Sequence, residues 1–294
     1  NAWVTIMRGC DKFCTFCIVP FTRGRERSRS VDGIVNEIKK AISNGFSEIT
    51  LLGQNVNSYN YNGEKFPDLL DAVAKVNGVK RIRYTSPHPR DINKDLLEIM
   101  AKYDNICNYI HLPLQAGSNR ILKRMNRTYT RENFIELTEM IRSFLPDVGL
   151  STDIIVGFPG ETEEEFNETL EVMKKVKFDS AFTFKYSPRK GTKAIQYDDQ
   201  LTEDEKQLRL TKVIELQKYN TKLRNQSYVG SVVNVLIEKK SKRDENKWAG
   251  RTESNKWVIF DRLDFNINDI VPVLITKSKG ITLYGKISKK VKVA

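Results

Sequence analysis

The chain has 294 residues, 39 % of them apolar, with 49 Lys and Arg against 37 Asp and Glu, a formal charge of +12 and a pI near 9.4. That length holds one large domain and a small one, and the charge favours a polyanionic partner such as nucleic acid. No run approaches the roughly 18 apolar residues of a membrane span, the first residues do not read as a charged, then apolar, signal region, and four cysteines, three of them clustered, are not expected to form a disulfide framework, which points to a reducing, cytoplasmic setting.

The first residue, Asn1, already leads into a strand, so the chain is expected to begin inside a longer protein. The apolar run Trp3-Val4-Thr5-Ile6-Met7 ends in Arg8-Gly9-Cys10-Asp11-Lys12-Phe13-Cys14-Thr15-Phe16-Cys17. Cysteines at i, i+4 and i+7 can close around one inorganic centre from a single loop. A structural zinc takes four protein ligands, whereas a [4Fe-4S] cube on three thiolates keeps one iron open for an exogenous ligand. A zinc site completed by His88 or His111 is the alternative reading. Cys107 reads as a small buried hydrophobe. Residues 20–29 then carry arginine at every second position, so in extended backbone Arg23, Arg25 and Arg27 share one side and can hold phosphates.

Apolar residues at helical spacing over 31–44, 66–76, 94–102, 119–125, 131–144 and 162–174 alternate with strand-like runs at 48–52, 80–84, 108–112, 149–156 and 180–186. Thr162 and Glu165 form a capping box. With the first strand, this alternation predicts six βα units and a parallel sheet, too few for a closed eight-stranded barrel. The fold class is α/β, a partial (β/α)6 barrel open on one side. Ligands belong at the C-terminal ends of its strands, where Gly53-Gln54-Asn55, Ser86-Pro87-His88-Pro89, Pro113-Leu114-Gln115, Gly157-Phe158-Pro159 and Ser187-Pro188-Arg189 fall. His111 reads as a satisfied core residue and His88 as either core or ligand.

Thr202 and Glu205 open a long connector helix, which Leu208, Val213, Ile214, Leu216, Tyr219 and Leu223 are expected to pack onto the barrel. Beyond it, strand-like runs at 231–237, 256–260, 269–276 and 281–287, separated by Gly230, Asp244, Gly250 and Gly280, predict a small all-β barrel. Residues 226–294 hold 14 Lys and Arg against 7 Asp and Glu. Lys239, Lys240, Lys242, Arg243 and the run at 289–292, with Trp248 and Trp257, suit phosphate contact and base stacking.

The Cys-x3-Cys-x2-Cys loop with Phe16 before its last cysteine resembles the signature of the radical S-adenosylmethionine enzymes. With it, Thr22-Arg23-Gly24-Arg25-Glu26, Gly53 through Tyr59, Tyr84 through Pro89, His111 through Ser118, Asp153 through Glu161 and Tyr186 through Thr192 resemble the methylthiotransferase family of that group. The resemblance runs over essentially the whole chain. It implies a TIM-like radical SAM barrel over residues 1–225 and a TRAM barrel over 226–294. Cys10, Cys14 and Cys17 would hold a [4Fe-4S] cluster whose open iron takes S-adenosylmethionine. Phe16, Gln54, Asn55, Ser86, Gln115, Asp153 and Arg189 would be cofactor contacts, with Gly53-Gln54-Asn55 standing where related enzymes have Gly-Gly-Glu, so that this contact is expected from the backbone.

The 53–59 stretch resembles members that act on isopentenylated adenosine 37 in the tRNA anticodon stem-loop. Alternatives are a ribosomal-protein or threonylcarbamoyladenosine substrate, or a non-enzymatic metal-binding RNA module. The family also carries an N-terminal domain with an auxiliary cluster for sulfur delivery, which this sequence lacks. The resemblance further implies an electron donor such as flavodoxin, and the chain is expected to be a monomer.

Overall fold

The computed structural model describes residues 1–288, so the basic run at 289–292 lies outside the described residues. Six strands follow the predicted alternation: β1 (Ala2–Thr5), β2 (Glu48–Leu52), β3 (Arg81–Tyr84), β4 (Tyr109–His111), β5 (Gly149–Val156) and β6 (Ser180–Lys185). Between them lie α1 (Val19–Arg23), α2 (Val31–Ser43), α3 (Phe66–Ala74), α4 (Lys94–Lys102), α5 (Asn119–Arg124), α6 (Arg131–Phe144) and α7 (Glu163–Val176). Ser30, Asn93, Ser118, Thr130 and Thr162 cap five of these helices by accepting from N3 backbone amides.

The strands pair in parallel in two sets, β1 to β3 and β4 to β6, joined by a bridge between Ile82 and Ile106. Together they form the predicted open arc. Alternation decides which side each residue serves. Val4, Ile49, Leu51, Ile82, Ile110, Leu150, Ile154 and Val156 enter the core beneath the helices. Their neighbours on the concave side are polar or aromatic: Trp3, Glu48, Thr50, Arg81, Arg83, Tyr109, His111, Ser151, Asp153 and Phe182.

α8 (Glu203–Gln226) connects to the second domain and, of the expected apolar face, Val213 lies in the barrel core and Leu216 packs against it. Leu208, Tyr219 and Leu223 are exposed, while Lys206, Arg209, Gln217, Asn220, Thr221 and Asn225 are buried. Their side chains meet main-chain carbonyls of α7 and the turn after it: Gln217 donates to Phe178 O at 2.9 Å, Asn220 to Met173 O at 3.0 Å and Thr221 to Asp179 O at 2.9 Å. No helix among the described residues is long and apolar enough to cross a membrane.

The second domain is a closed barrel of β7 (Val232–Lys240), β8 (Lys247–Thr252), β9 (Trp257–Asp261), β10 (Ile270–Lys279) and β11 (Thr282–Ile287). One strand, β8, was not expected, because Gly250 read as a turn. Gly250 sits mid-strand instead, where a Cβ would lie 2.1 Å from Leu236 O, so the close passage of β7 demands glycine. Trp248, on that strand, is 4 % exposed in the barrel core. This corrects the expectation of a free stacking platform there.

The hairpin between β8 and β9 plugs the N-terminal end of the open barrel. Arg83 donates to Thr252 O at 2.8 Å and Glu253 O at 3.1 Å, and pairs with buried Glu48 at 3.0 Å. Glu48 also takes Arg251 at 3.0 Å, and Lys256 pairs with buried Asp179 at 2.6 Å. At Gly149 a Cβ would stand 2.6 Å from Ser254 O, so the hairpin seats against bare backbone. Truncating Arg83 to Ala removes a donor from Glu253 O, from one Glu48 oxygen and from Thr252 O, which keeps Asn255 N. The expected loss is about 3 kcal/mol of stability in urea unfolding, with a separate transition for the β-barrel; a single unshifted transition would count against the plug.

Candidate cofactor site

The cysteine loop leaves β1 through a short antiparallel pair, Met7–Arg8 with Arg27–Ser28. Gly9 lies between them at φ 83°, and a Cβ there would be 2.1 Å from Arg25 O, so only glycine turns the chain into the loop. Its amide donates to Gln54 Oε1 at 2.7 Å. The far side is gripped by the segment following α5, which sequence reasoning missed. Thr15 N donates to Met125 O at 3.0 Å, and Thr15 Oγ1 to Arg124 O at 2.9 Å. Asn126, at φ 58°, donates to Phe13 O at 2.9 Å and Lys12 O at 3.2 Å. Arg127 donates to the Cys14 sulfur at 3.3 Å. Nothing in the string Arg124-Met125-Asn126-Arg127 signals a partner 113 residues away.

Burial pushes the Cys10 thiol up to about 11 and raises Cys17 as well, so ligation at this loop must displace protons. Arg127 and Arg189 oppose that shift at Cys17. Phe16 packs edge-on against Phe158 in the loop after β5, ring centroids 6.4 Å apart. Cys107 is buried at 2 % exposure, away from this loop in the core.

The other expected contacts fall in different roles. Gln54 supports Gly9, and buried Asn55 donates to Asp91 Oδ2 at 2.9 Å while accepting from His88 N at 3.1 Å. Both side chains are thus taken up in shaping the rim. Gln115, at φ 70° and 7 % exposed, has a buried Oε1 with no partner. Asp153 Oδ1 lies 3.2 Å from His111 Nε2, and His111 Nδ1 meets Ser151 Oγ at 2.7 Å. Ser86 and Arg189 are exposed.

Arg23, Arg25 and Arg27 after the loop are all exposed, but 19–23 is helical rather than extended. Arg23 ends α1, Arg25 pairs with Asp11 at 2.7 Å, and exposed Arg27 lies in the short strand pair. On the β-barrel, Lys239, Lys242, Arg243, Trp257 and Tyr284 line a groove of about 470 Å³, with Lys239 Nζ 4.7 Å above the Trp257 ring. Lys240 is exposed beside it.

An open parallel barrel with a three-cysteine loop at the C-terminal end of its first strand defines a class, and comparison with known proteins agrees. The Radical SAM superfamily pattern matches residues 4–173 and the TRAM domain pattern residues 226–288. The chain belongs to the radical SAM superfamily. It is 50 % identical over 289 residues to tRNA-2-methylthio-N(6)-dimethylallyladenosine synthase of Clostridium tetani (strain Massachusetts / E88), covering 97 % of this chain and 64 % of that protein. The synthase of Carboxydothermus hydrogenoformans is 50 % identical over 288 residues, with 97 % and 66 % covered. The chain therefore spans less than two thirds of the length of these curated relatives. Among solved structures, coproporphyrinogen III oxidase from Escherichia coli superimposes with a TM-score of 0.55 at 14 % identity, over 86 % of this chain and 66 % of that one. Methylornithine synthase gives 0.53 at 16 % identity, over 75 % and 62 %. These two speak for the fold.

Membership implies a [4Fe-4S] cluster and S-adenosylmethionine, and the residues present fit both. Among the described residues no three His, Cys, Asp or Glu side chains converge as a single ion requires, but a cube offers each thiolate its own iron. Both nitrogens of His111, one of the alternative zinc ligands, are occupied, and His88 Nδ1 accepts from Arg90 N. The unpartnered Gln115 oxygen is the kind of buried acceptor that a polar cofactor would satisfy.

His88 also titrates abnormally. Burial, then the charges of Arg127, Lys12 and Arg90, hold its pKa down to about 2. The unfolded chain takes up this proton below about pH 6.5 and the folded chain does not, so stability is present above that pH and is lost as pH falls. Between pH 7.5 and 5.5 the wild type should lose about 1.4 kcal/mol more than His88→Asn in urea titrations. Equal losses would place His88 in contact with solvent.

Proposed function

We propose that the chain is the radical SAM core and RNA-binding portion of a tRNA methylthiotransferase that modifies C2 of N6-isopentenyladenosine 37. The observation that carries this reading is the cysteine loop at the barrel mouth in a chain half identical to synthases named for that product. When bound, the cluster and S-adenosylmethionine supply the one-electron chemistry that activates an unreactive C–H bond. The chain's own residues shape the site. Cys10, Cys14 and Cys17 ligate, Phe16, backed by buried Phe158, walls the cofactor, and Gln115, Ser86, Asp153 and Arg189 are available for its polar groups.

The basic groove supports tRNA as the partner. Lys239, Lys242 and Arg243 would neutralise phosphates, and Trp257 offers a ring for an unpaired base. An electron donor and a cytoplasmic location complete the reading. This sequence holds no second cysteine set, so sulfur delivery is assigned to a part of the protein beyond it.

After anaerobic reconstitution the chain should carry about four irons and cleave S-adenosylmethionine to methionine and 5′-deoxyadenosine. Cys10→Ala, Cys14→Ala or Cys17→Ala should abolish both properties, and Cys107→Ala neither. Mixed with isopentenylated tRNA, this chain alone should yield no methylthio nucleoside by mass spectrometry, and its appearance would refute the assignment of sulfur delivery.

Salt titration tests the partner. Replacing Lys239, Lys242 and Arg243 together by Gln should reduce the log–log slope of tRNA affinity against salt by about 3, and an unchanged slope would move the contacts elsewhere.

A further inference from the structure

Arg127 is the one cationic side chain that donates to a candidate ligand sulfur among the described residues, and each nitrogen of its guanidinium makes a hydrogen bond. Nη1 donates to Cys14 Sγ at 3.3 Å, Nη2 to Pro113 O at 3.2 Å and Nε to Tyr129 Oη at 2.9 Å. Tyr129 is in turn held by donation to Pro113 O at 2.8 Å and Leu114 O at 2.9 Å, and by ring contacts with His88 and Phe134. The guanidinium also lies 5.1 Å from the centre of the Tyr129 ring. With all three nitrogens engaged, this arginine is not a spare cation for a phosphate or carboxylate.

We propose that Arg127 is a positioning residue that raises the reduction potential of the cluster through a fixed hydrogen bond to the Cys14 sulfur. This rests on the reading that Cys10, Cys14 and Cys17 carry the cluster. Adding one electron makes a thiolate-bound cluster more negative. A donor fixed on one ligand sulfur, carrying a charge that arginine does not lose, stabilises the reduced form more than the oxidised form. Tyr129 and the Pro113 carbonyl hold that donor in place, as outer partners orient ligands at other metal sites. The same contact ties Cys14 to the loop after β4, so the potential is coupled to the wall that presents Gln115.

The test is a dye-mediated redox titration of the reconstituted 294-residue chain followed by electron paramagnetic resonance, with iron counted in each sample. Arg127→Met should keep its iron and shift the one-electron reduction equilibrium at least tenfold toward the oxidised form, a midpoint about 59 mV more negative. Arg127→Lys keeps the charge but offers a single point donor, so its midpoint should fall between the two. A wild-type midpoint in Arg127→Met overturns the proposal. Should that variant fail to load, Arg127→Lys decides: a more negative midpoint supports the proposal and a wild-type midpoint overturns it. Failure of the underlying reading would appear separately, as wild-type protein that binds fewer than four irons.

Discussion

Three thiols have to be presented together by a loop with almost no internal hydrogen bonding, and the rest of the upper barrel answers to that constraint. Within the loop the backbone bond from Cys17 N to Cys14 O is the main local one. Shape therefore comes from outside: Gly9 and Gln54 on one flank, and the carbonyls and side chains of 124–127 on the other. Each such bond contributes about 1 kcal/mol net, while ordering a residue costs about 1–2 kcal/mol. The loop keeps its form only because several neighbours act on it together.

The two ends of the open barrel carry different loads. At the N-terminal end Glu48, Arg83, Arg251, Lys256 and Asp179 form ion pairs that are mostly out of water. Apolar residues of similar volume would serve stability as well or better. What the charged set adds is direction, because Arg83 and Arg81 reach specific carbonyls of the second domain. The basic groove is thereby set in one orientation relative to the barrel, while the C-terminal end is left free for chemistry.

α8 shows the same preference for polar specificity. Its buried Arg209 pairs with Glu161 at 2.8 Å, and Glu161 accepts from Gly157 N at 2.7 Å. Burial pushes the Glu161 carboxyl up to about 7 despite these partners. Through this pair the connector helix braces the glycine turn after β5, whose Phe158 touches Phe16. The helix thus supports the cofactor site without entering it.

The local pattern of the sequence determined the order and type of nearly all elements, and the cysteine spacing pointed to the superfamily, because both depend on residues close together in the chain. Period and spacing survive whatever the fold does around them. The tertiary structure alone decided which polar groups would be used up. The side chains of Gln54 and Asn55 became scaffold, Trp248 became core, and α8 turned Leu208 and Leu223 outward, since each outcome depends on a backbone carbonyl or strand brought close from elsewhere. Gly250 looked like a turn because sequence shows only that a side chain is missing. That a neighbouring strand fills the space became visible only when β7 was laid beside it. Arg127 and Cys14 meet for the same reason: a contact across 113 residues leaves no local mark, and the curvature of the open barrel makes it.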